Sequence, residues 1–388
     1  MKIIKAYKFR LYPNDEQRIL INKTFGCTRF IYNHFLNLKQ KEYKETNKTK
    51  TTYECIKELT TLYVEYPWLK EVDSMSLRCS LFDLDDAFKR MYKKQGGYPK
   101  FKNKHSKNSY RTNYLTSEYK ENRYENIRID LTKNKITLPK LKEVKIRGYR
   151  KLETINGKVI NATVSKDSSN RYYVSVTLEE EINVQEIEQL NVVGLDLGVK
   201  DLVTTSEGKT YENSKALKRY EKRIKMLSRR LSKKQKGSSN YYKTKKQLGA
   251  VYRKLKNTRK YSLHQISKEL TEENTIIAVE DLTIKSMIEN TPNKQLTKNI
   301  FDSSFHEIIR QLEYKSKWKN KHLIKVDKYY PSSQTCYRCG VVEKRVKDIS
   351  VRNWECINCG VSHDRDMNAS INIMNEGVIK YYSKLNLV

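Results

Sequence analysis

The first twelve residues, MKIIKAYKFRLY, alternate basic or polar positions with apolar and aromatic ones. A period of two predicts a strand with one buried face. Pro13 and Asn14 end it, and Asn14 with Gln17 reads as a capping box, with Asp15 and Glu16 suited to the positive end of a helix. The apolar spacing then changes to three and four. Ile19, Leu20, Phe25, Cys27, Phe30, Ile31, Phe35 and Leu38 mark one side of a helix reaching about Tyr43. The polar run NKTKT separates a second helix near Tyr53–Tyr63, which Pro67 breaks. Leu77, Leu81, Leu84, Phe88 and Met91 predict a third over about Ser74–Lys94, and Gly96, Gly97 and Pro99 close this helical block.

Period two returns between about Tyr124 and Glu179, in the segments IRID, KITLP, EVKIRG, KVINATVSKD and RYYVSVTLE. Asn156-Gly157 and Asp167-Ser168-Ser169-Asn170 are the hairpin turns. This pattern predicts a β-barrel or sandwich that the first strand closes, with the helical block inserted after that strand. The acidic run 180–190 reads as a linker. Beyond it, VVGLD and LVTT predict two strands, and TIIAVE a third. Between Lys209 and Thr271 lies a basic helical segment that Gly237-Ser238-Ser239-Asn240 turns into a hairpin. Its seam takes Leu217, Ile224, Leu227 and Leu231 from one arm and Leu248, Val251, Leu255 and Leu263 from the other. Residues 299–318 read as one helix, followed by the strand HLIKVD.

Charge changes the picture. Lys and Arg number 78 against 45 Asp and Glu, a formal net charge of +33 over 388 residues. A chain that basic repels itself unless a polyanion neutralises it, and nucleic acid is the expected partner. A membrane is not expected: there is no apolar run of spanning length, no sustained basic amphipathic helix, and no signal-peptide core at the N-terminus. The 28 tyrosines among these cations suit stacking beside phosphate contacts. The basic arm 100–113 and the hairpin are the expected nucleic-acid surfaces, with Lys100, Lys102, Tyr110, Arg111, Arg229 and Arg230 as contacts.

The chemistry concentrates near the C-terminus. Cys336-x-x-Cys339 and Cys356-x-x-Cys359, each followed by glycine, have the spacing of one tetrahedral Zn²⁺ site. Four protein ligands leave no open position, so the metal would be structural. The alternative is two disulfides, which a chain with no secretory signal does not favour. Cys27, Cys55 and Cys79 fall on apolar helical faces as core thiols, and the expected compartment is reducing: cytoplasmic and nucleoid-associated. Three acidic positions stand out. Asp196 lies between Leu195 and Leu197 just before Gly198, as RNase H-like nucleases present their first acid. Glu280 ends an apolar run, where an ionised carboxylate is costly unless paired or metal-bound. Asp364-Arg365-Asp366 opens a helix; Asp366 is taken as the third acid and Asp364 as the N-cap. Three carboxylates on two strands and a helix can hold two Mg²⁺ for phosphodiester displacement. His264, His306 and His322 read as structural; His363 stands next to the acids, with a phosphate-neighbour role as the alternative to a structural one.

Taken together, KAYKFRLYPNDEQ, GLDLGVK, VEDL, YYPSSQTCYRCG and ECINCGVSHDRDMNASINI, in this order and across nearly the whole chain, resemble the TnpB family. These are transposon-encoded RNA-guided nucleases related to compact type V CRISPR effectors. The resemblance implies an α/β multidomain architecture. Residues 1–13 and 96–185 would form a wedge β-barrel, with a helical recognition domain, 14–95, inserted. An RNase H-like (RuvC) nuclease domain would occupy 191–332 with its hairpin at 212–270, then a zinc module at 333–362 and the closing nuclease helix at 363–388. It implies a catalytic, Mg²⁺-binding triad of Asp196, Glu280 and Asp366 and zinc ligands Cys336, Cys339, Cys356 and Cys359. It further implies a monomer that binds a transposon-derived guide RNA and cuts target double-stranded DNA beside a short flanking motif. The rival readings are a nuclease-inactive RNA-guided repressor, which should lack one or more of the acids, a transposase that binds transposon ends directly, and a CRISPR effector.

Overall fold

The computed structural model describes residues 1–104, 107–119, 122–148, 157–182, 189–282, 284–289, 293–348 and 350–384. Asn156 of the expected turn, and 183–188 of the expected linker, lie outside them. The chain divides into two compact units, Met1–Ile182 and Asn183–Val388.

In the first unit, β1 (Lys2–Tyr12) leads into α1 (Asp15–Thr46), α2 (Thr52–Glu65) and α3 (Ser74–Tyr92). Local chemistry sets each helix start. Asn14 and Gln17 close a reciprocal capping box on α1, Thr51 and Glu54 do the same for α2, and the Asp73 carboxylate accepts from Met75 and Ser76 N–H on α3. The helices share a core of Ile31, Phe35, Leu59, Leu77 and Leu84, all at most 1% exposed. Cys27, Cys55 and Cys79 are buried, and desolvation pushes each thiol up to about 11, as expected of inert core thiols.

The strands that follow are β2 (Ser109–Asn113), β3 (Thr116–Tyr119), β4 (Asn122–Glu125), β5 (Arg128–Asp130), β6 (Lys135–Leu138), β7 (Lys142–Arg147), β8 (Lys158–Lys166) and β9 (Tyr172–Glu181). β3 and β4 form a separate hairpin, and the others join β1 in a seven-stranded sheet of order β2-β8-β9-β1-β7-β6-β5. The first strand joins the two sides of this sheet, β2-β8-β9 and β7-β6-β5. It is a central strand, antiparallel to β9 from Lys2↔Glu181 to Leu11↔Tyr172 and to β7 at Arg10–Tyr12, and among the described residues no pairing joins β2 to β5. Nor does a linker begin at residue 180. Glu180 is a buried strand residue, accepting from Lys5 Nζ at 2.8 Å and Tyr7 OH at 2.5 Å.

The second unit is built on five strands: β10 (Val192–Asp196), β11 (Asp201–Thr205), β12 (Thr210–Glu212), β13 (Ile276–Glu280) and β14 (His322–Val326), in the order β12-β11-β10-β13-β14. β10, β13 and β14 run parallel, with Gly194 opposite Ala278 and Glu280 opposite Val326. Ile276, Ile277, Ala278 and Val279 are all at most 1% exposed, the continuous apolar run of a parallel strand covered on both faces. The helices are α4 (Ala216–Ser232), α5 (Ser239–Glu273), α6 (Ile284–Glu289), α7 (Lys294–Ser303), α8 (Phe305–Trp318) and α9 (Arg365–Lys384). The expected single helix over 299–318 is two: Ser304 sits in the left-handed region at φ 57°. The break lets buried Asp302, in the last turn of α7, accept from Leu217 N–H at the start of α4 and pair with Arg259 of α5 at 2.6 Å. One carboxylate so ties both arms of the basic hairpin.

The sheet's two faces divide by residue parity. Val193, Leu195, Ile277 and Val279 pack with Leu263, Ile266 and Leu270 of α5 and Ile308 and Leu312 of α8. Gly194 and Ala278 face the other way, toward α9. A Cβ at Gly194 would collide with the Ser370 carbonyl oxygen and stand 2.6 Å from Met374 N, and a Cβ at Gly377 would collide with the Ala278 methyl group. The helix therefore lies against backbone. Asp196 and Glu280 share the parity of Gly194 and Ala278, so the pleat sends both toward α9. Gly377→Ala is expected to cost about 1–3 kcal/mol through overpacking. Adding Ala278→Gly should restore part of that loss, measured by urea unfolding of the single and double variants.

Candidate active site and cysteine cluster

Two loops precede the helix that completes the site. The two cysteine pairs sit on similar turns: Gly340 N–H and Gly360 N–H donate to Cys336 O and Cys356 O, each at 2.9 Å. Both glycines have positive φ, 79° and 67°, a conformation that side-chain-bearing residues seldom adopt. The turns bring four sulfurs within 4.8 Å of one another, with Cys336 Sγ 3.7 Å from Cys359 Sγ and Cys339 Sγ 3.6 Å from Cys356 Sγ. These are too long for disulfide bonds, which need about 2 Å. They match the spacing of about 3.8 Å that follows from tetrahedral thiolate ligation at about 2.3 Å. Backbone N–H of Val341 and the Asn358 side chain hold the Cys339 thiol down to about 6, while burial pushes Cys336 up to about 12. The donor set and its geometry suit one tetrahedral ion.

His363, in β16 (Ser362–Asp364), is buried and lies beside this cluster. Its Nε2 is 3.1 Å from Cys336 Sγ, and its ring packs between Tyr337 and Trp354 of β15 (Asn353–Glu355). It has no open face for a phosphate, so that alternative is corrected to a structural one.

The strand β16 runs directly into α9. Asp364 Oδ1 accepts from Asp366 and Met367 N–H at 3.0 and 2.9 Å, capping the helix. One turn on, Asn368 and Asn372 are buried and both donate to the carbonyls of Ser332 and Thr335, and Asn368 Oδ1 accepts from Tyr337 N–H. These two amides bolt the entry of the first cysteine loop onto the face of α9. Their four-residue spacing was the available sign. Neither they nor Arg352 was anticipated.

Asp366 occupies the first turn of α9 and is half-buried. Arg352 Nη1 reaches both of its carboxylate oxygens, at 3.0 and 3.1 Å. Asp196 and Glu280 are half-buried at the ends of β10 and β13, and among the described residues neither carboxylate has a hydrogen-bond or ion-pair partner. Desolvation, then the negative charges of Asp366 and Glu280, push Asp196 up to about 7, with Arg365 and Arg352 pulling the other way. Burial pushes Glu280 up to about 7. The three acids are thus brought into one electrostatic neighbourhood. Among the described residues the four cysteines remain the one group of His, Cys, Asp or Glu ligands that could hold an ion as placed. Asp366 spends its oxygens on Arg352.

The expected nucleic-acid contacts divide. Lys100, Arg229 and Arg230 are exposed, and the last two share a surface of α4 with Lys222, Lys225 and Lys233. Lys102 is half-buried with Nζ 3.7 Å over the Tyr32 ring, and Arg111 pairs with Asp83 at 3.0 Å. Tyr110 is corrected: it is 6% exposed, its ring 5.7 Å from Phe25, in the core and not free to stack on bases.

The raised acids have a stability consequence. An Asp196 carboxyl with a folded value near 7 stays protonated where the unfolded chain has already ionised, so folding loses stability as pH rises from about 4 to about 7. Asp196→Asn removes that loss. Without divalent ions, the variant is expected to melt above the wild type at pH 8, with the difference vanishing toward pH 4, measured by thermal scans.

Three family models match: OrfB_IS605 "Helix-turn-helix domain" over residues 1–48, OrfB_IS605 "Probable transposase" over 173–291, and "Cas12f1-like, TNB domain" over 305–373. A Streptomyces pristinaespiralis protein named "Putative RNA-guided DNA endonuclease" is 31% identical over 380 residues, covering 97% of this chain and 90% of that protein. InsQ of Escherichia coli (strain K12), which carries the same name, is 28% identical over 395 residues, with 97% and 93% covered. Among solved structures, Cas12f1 in its complex with sgRNA and target DNA shares the fold at a TM-score of 0.60 and 13% identity, over 96% of this chain and 99% of that one. On the strength of the end-to-end match to relatives so named, this chain belongs to the TnpB family.

Proposed function

We propose that this chain is an RNA-guided DNA endonuclease that takes a guide RNA from a transposon end and hydrolyses phosphodiester bonds in double-stranded DNA beside a short flanking motif. The observation that carries the reading is the pair of unpartnered, half-buried carboxylates, Asp196 and Glu280, on neighbouring parallel strand ends, with the charge of a third acid, Asp366, reaching Asp196. Buried acids without partners are costly, and a cation is a partner that would relieve Asp196 and Glu280 together. Asp196, Glu280 and Asp366 would hold Mg²⁺, two ions in the full site. Bound there, the metal supplies charge for the scissile phosphate and a more acidic water. Arg352 orients Asp366, and would exchange or share that carboxylate when a cation binds. The relatives' names and the +33 charge support RNA and DNA as partners.

We further assign residues 1–13 and 96–185 to a wedge domain, 14–95 to a recognition domain, and 191–388 to a RuvC-like nuclease carrying the zinc module. The four cysteines would hold a structural Zn²⁺, whose role is to fold the two loops that place Arg352 and seat α9.

Asp196→Ala and Glu280→Gln are each expected to lower target cleavage by on the order of a hundredfold to a thousandfold or more, while guide-RNA binding stays at the wild-type level. Normal cutting by either variant would sink the assignment. Sequencing the RNA that co-purifies with the protein supplies the guide for that assay. Stripping zinc, or Cys356→Ser, is expected to lower the thermal stability of the C-terminal unit and to reduce cleavage with it. An unchanged melt with full activity would show the cluster to be dispensable.

A further inference from the structure

The first unit contains a recess of about 270 Å³ between α1, α3 and the arm leading into β2. Its floor includes Phe25 and Tyr110, and its walls carry four cations, Arg29, Lys102, Lys107 and Arg111, against one carboxylate, Asp83. The cations are poorly matched. Arg111 gives Nη2 to Asp83 at 3.0 Å, but its Nε is buried with no hydrogen-bond partner among the described residues. Lys102 has the Tyr32 ring beneath it and, among the described residues, no carboxylate in contact. Arg29 has no hydrogen bond or ion pair among the described residues.

A buried guanidinium N–H without an acceptor costs stability, and a second unpaired guanidinium beside it adds repulsion. Both costs vanish if the recess receives an anion with several acceptor oxygens. Guanidinium forks fit phosphate in this way, and desolvated walls strengthen the contact. A divalent cation is repelled here, and an apolar ligand would leave the donors unsatisfied.

We propose that this recess is a phosphodiester-binding pocket that grips one backbone phosphate of a nucleic-acid strand, through Arg29, Arg111 Nε and Lys102. This rests on the nucleic-acid reading of the chain and deepens it. It changes the role of Tyr110 from a base-stacking residue to part of the floor, and it makes Arg29, which no charge run or motif marks, a binding residue.

The test uses full-length protein freed of co-purifying nucleic acid. The probes are a mixed-sequence single-stranded RNA and a mixed-sequence duplex DNA, and binding is measured across a salt series. Arg29→Gln should not lower the melting temperature, because no partner is lost and a repulsion is relieved. It should weaken binding about threefold to tenfold near 0.1 M salt and flatten the logarithmic salt slope by about one phosphate's worth, 0.7–0.9. Arg111→Lys, which keeps a cation for Asp83 and removes the Nε donor, should act in the same direction. The arm that responds, RNA or DNA, identifies the strand.

Wild-type affinity and slope in both variants would overturn the pocket while leaving the parent reading intact. A fall in melting temperature for Arg29→Gln would make that arginine structural and overturn it too. Weaker binding at an unchanged salt slope would assign the recess to a contact other than a phosphate and overturn the proposal. A wild-type protein that binds neither probe would overturn both readings.

Discussion

The contact on which the second unit depends is the approach of α9 to the backbone of β10 and β13. Gly194, Ala278 and Gly377 present almost no side-chain volume between helix and strands. That closeness brings the first turn of the helix, with Asp366, to the ends of two parallel strands. Any larger residue at these positions would lift the helix off the sheet, because a packed interior has no spare space to absorb a methyl group. The glycine of GLDLG that precedes Asp196 by two residues is thus part of the geometry of the acids.

The cysteine cluster serves the same geometry from the other end. It is a small, loop-rich module whose own core is little more than Val346, Trp354, Cys336 and Cys356. Four ligands to one ion would compensate for that. The module is then locked to α9 by Asn368 and Asn372 and hands Arg352 to Asp366. A metal held there, with no open coordination position, would influence the acids without touching them. The acids supply the counterpart: Asp196 and Glu280 have no partner among the described residues, and burial raises both to about 7, with the charge of Asp366 adding to the rise at Asp196.

In the first unit, positive charge is distributed at two depths. Lys100 and most of the other basic residues lie on the surface, where salt screens them. Arg29, Lys102 and Arg111 line a recess, where their charges are less hydrated and correspondingly more selective about what neutralises them.

Much was legible from the chain alone, because it is written in local patterns. The caps at Asn14 and Asp364, the two Cys-x-x-Cys turns with their glycines, and the apolar runs ending in Asp196 and Glu280 each depend on neighbours a few residues away. Period-two spacing located β1, but not its central place in the sheet, because pairing is chosen by partners more than a hundred residues distant. A run read as one helix proved to be two, since the left-handed Ser304 is held by tertiary contacts of Asp302 rather than by glycine or proline. Tyr110 looked like a stacking residue because its neighbours are basic; only packing against Phe25 shows that it faces inward. Residue types and their local periods, then, were determined by the sequence itself. Which side chains meet across long separations, Arg352 with Asp366, Asn368 with Thr335, His363 with Cys336, was decided by the tertiary structure, because those contacts form only when distant segments close on one another.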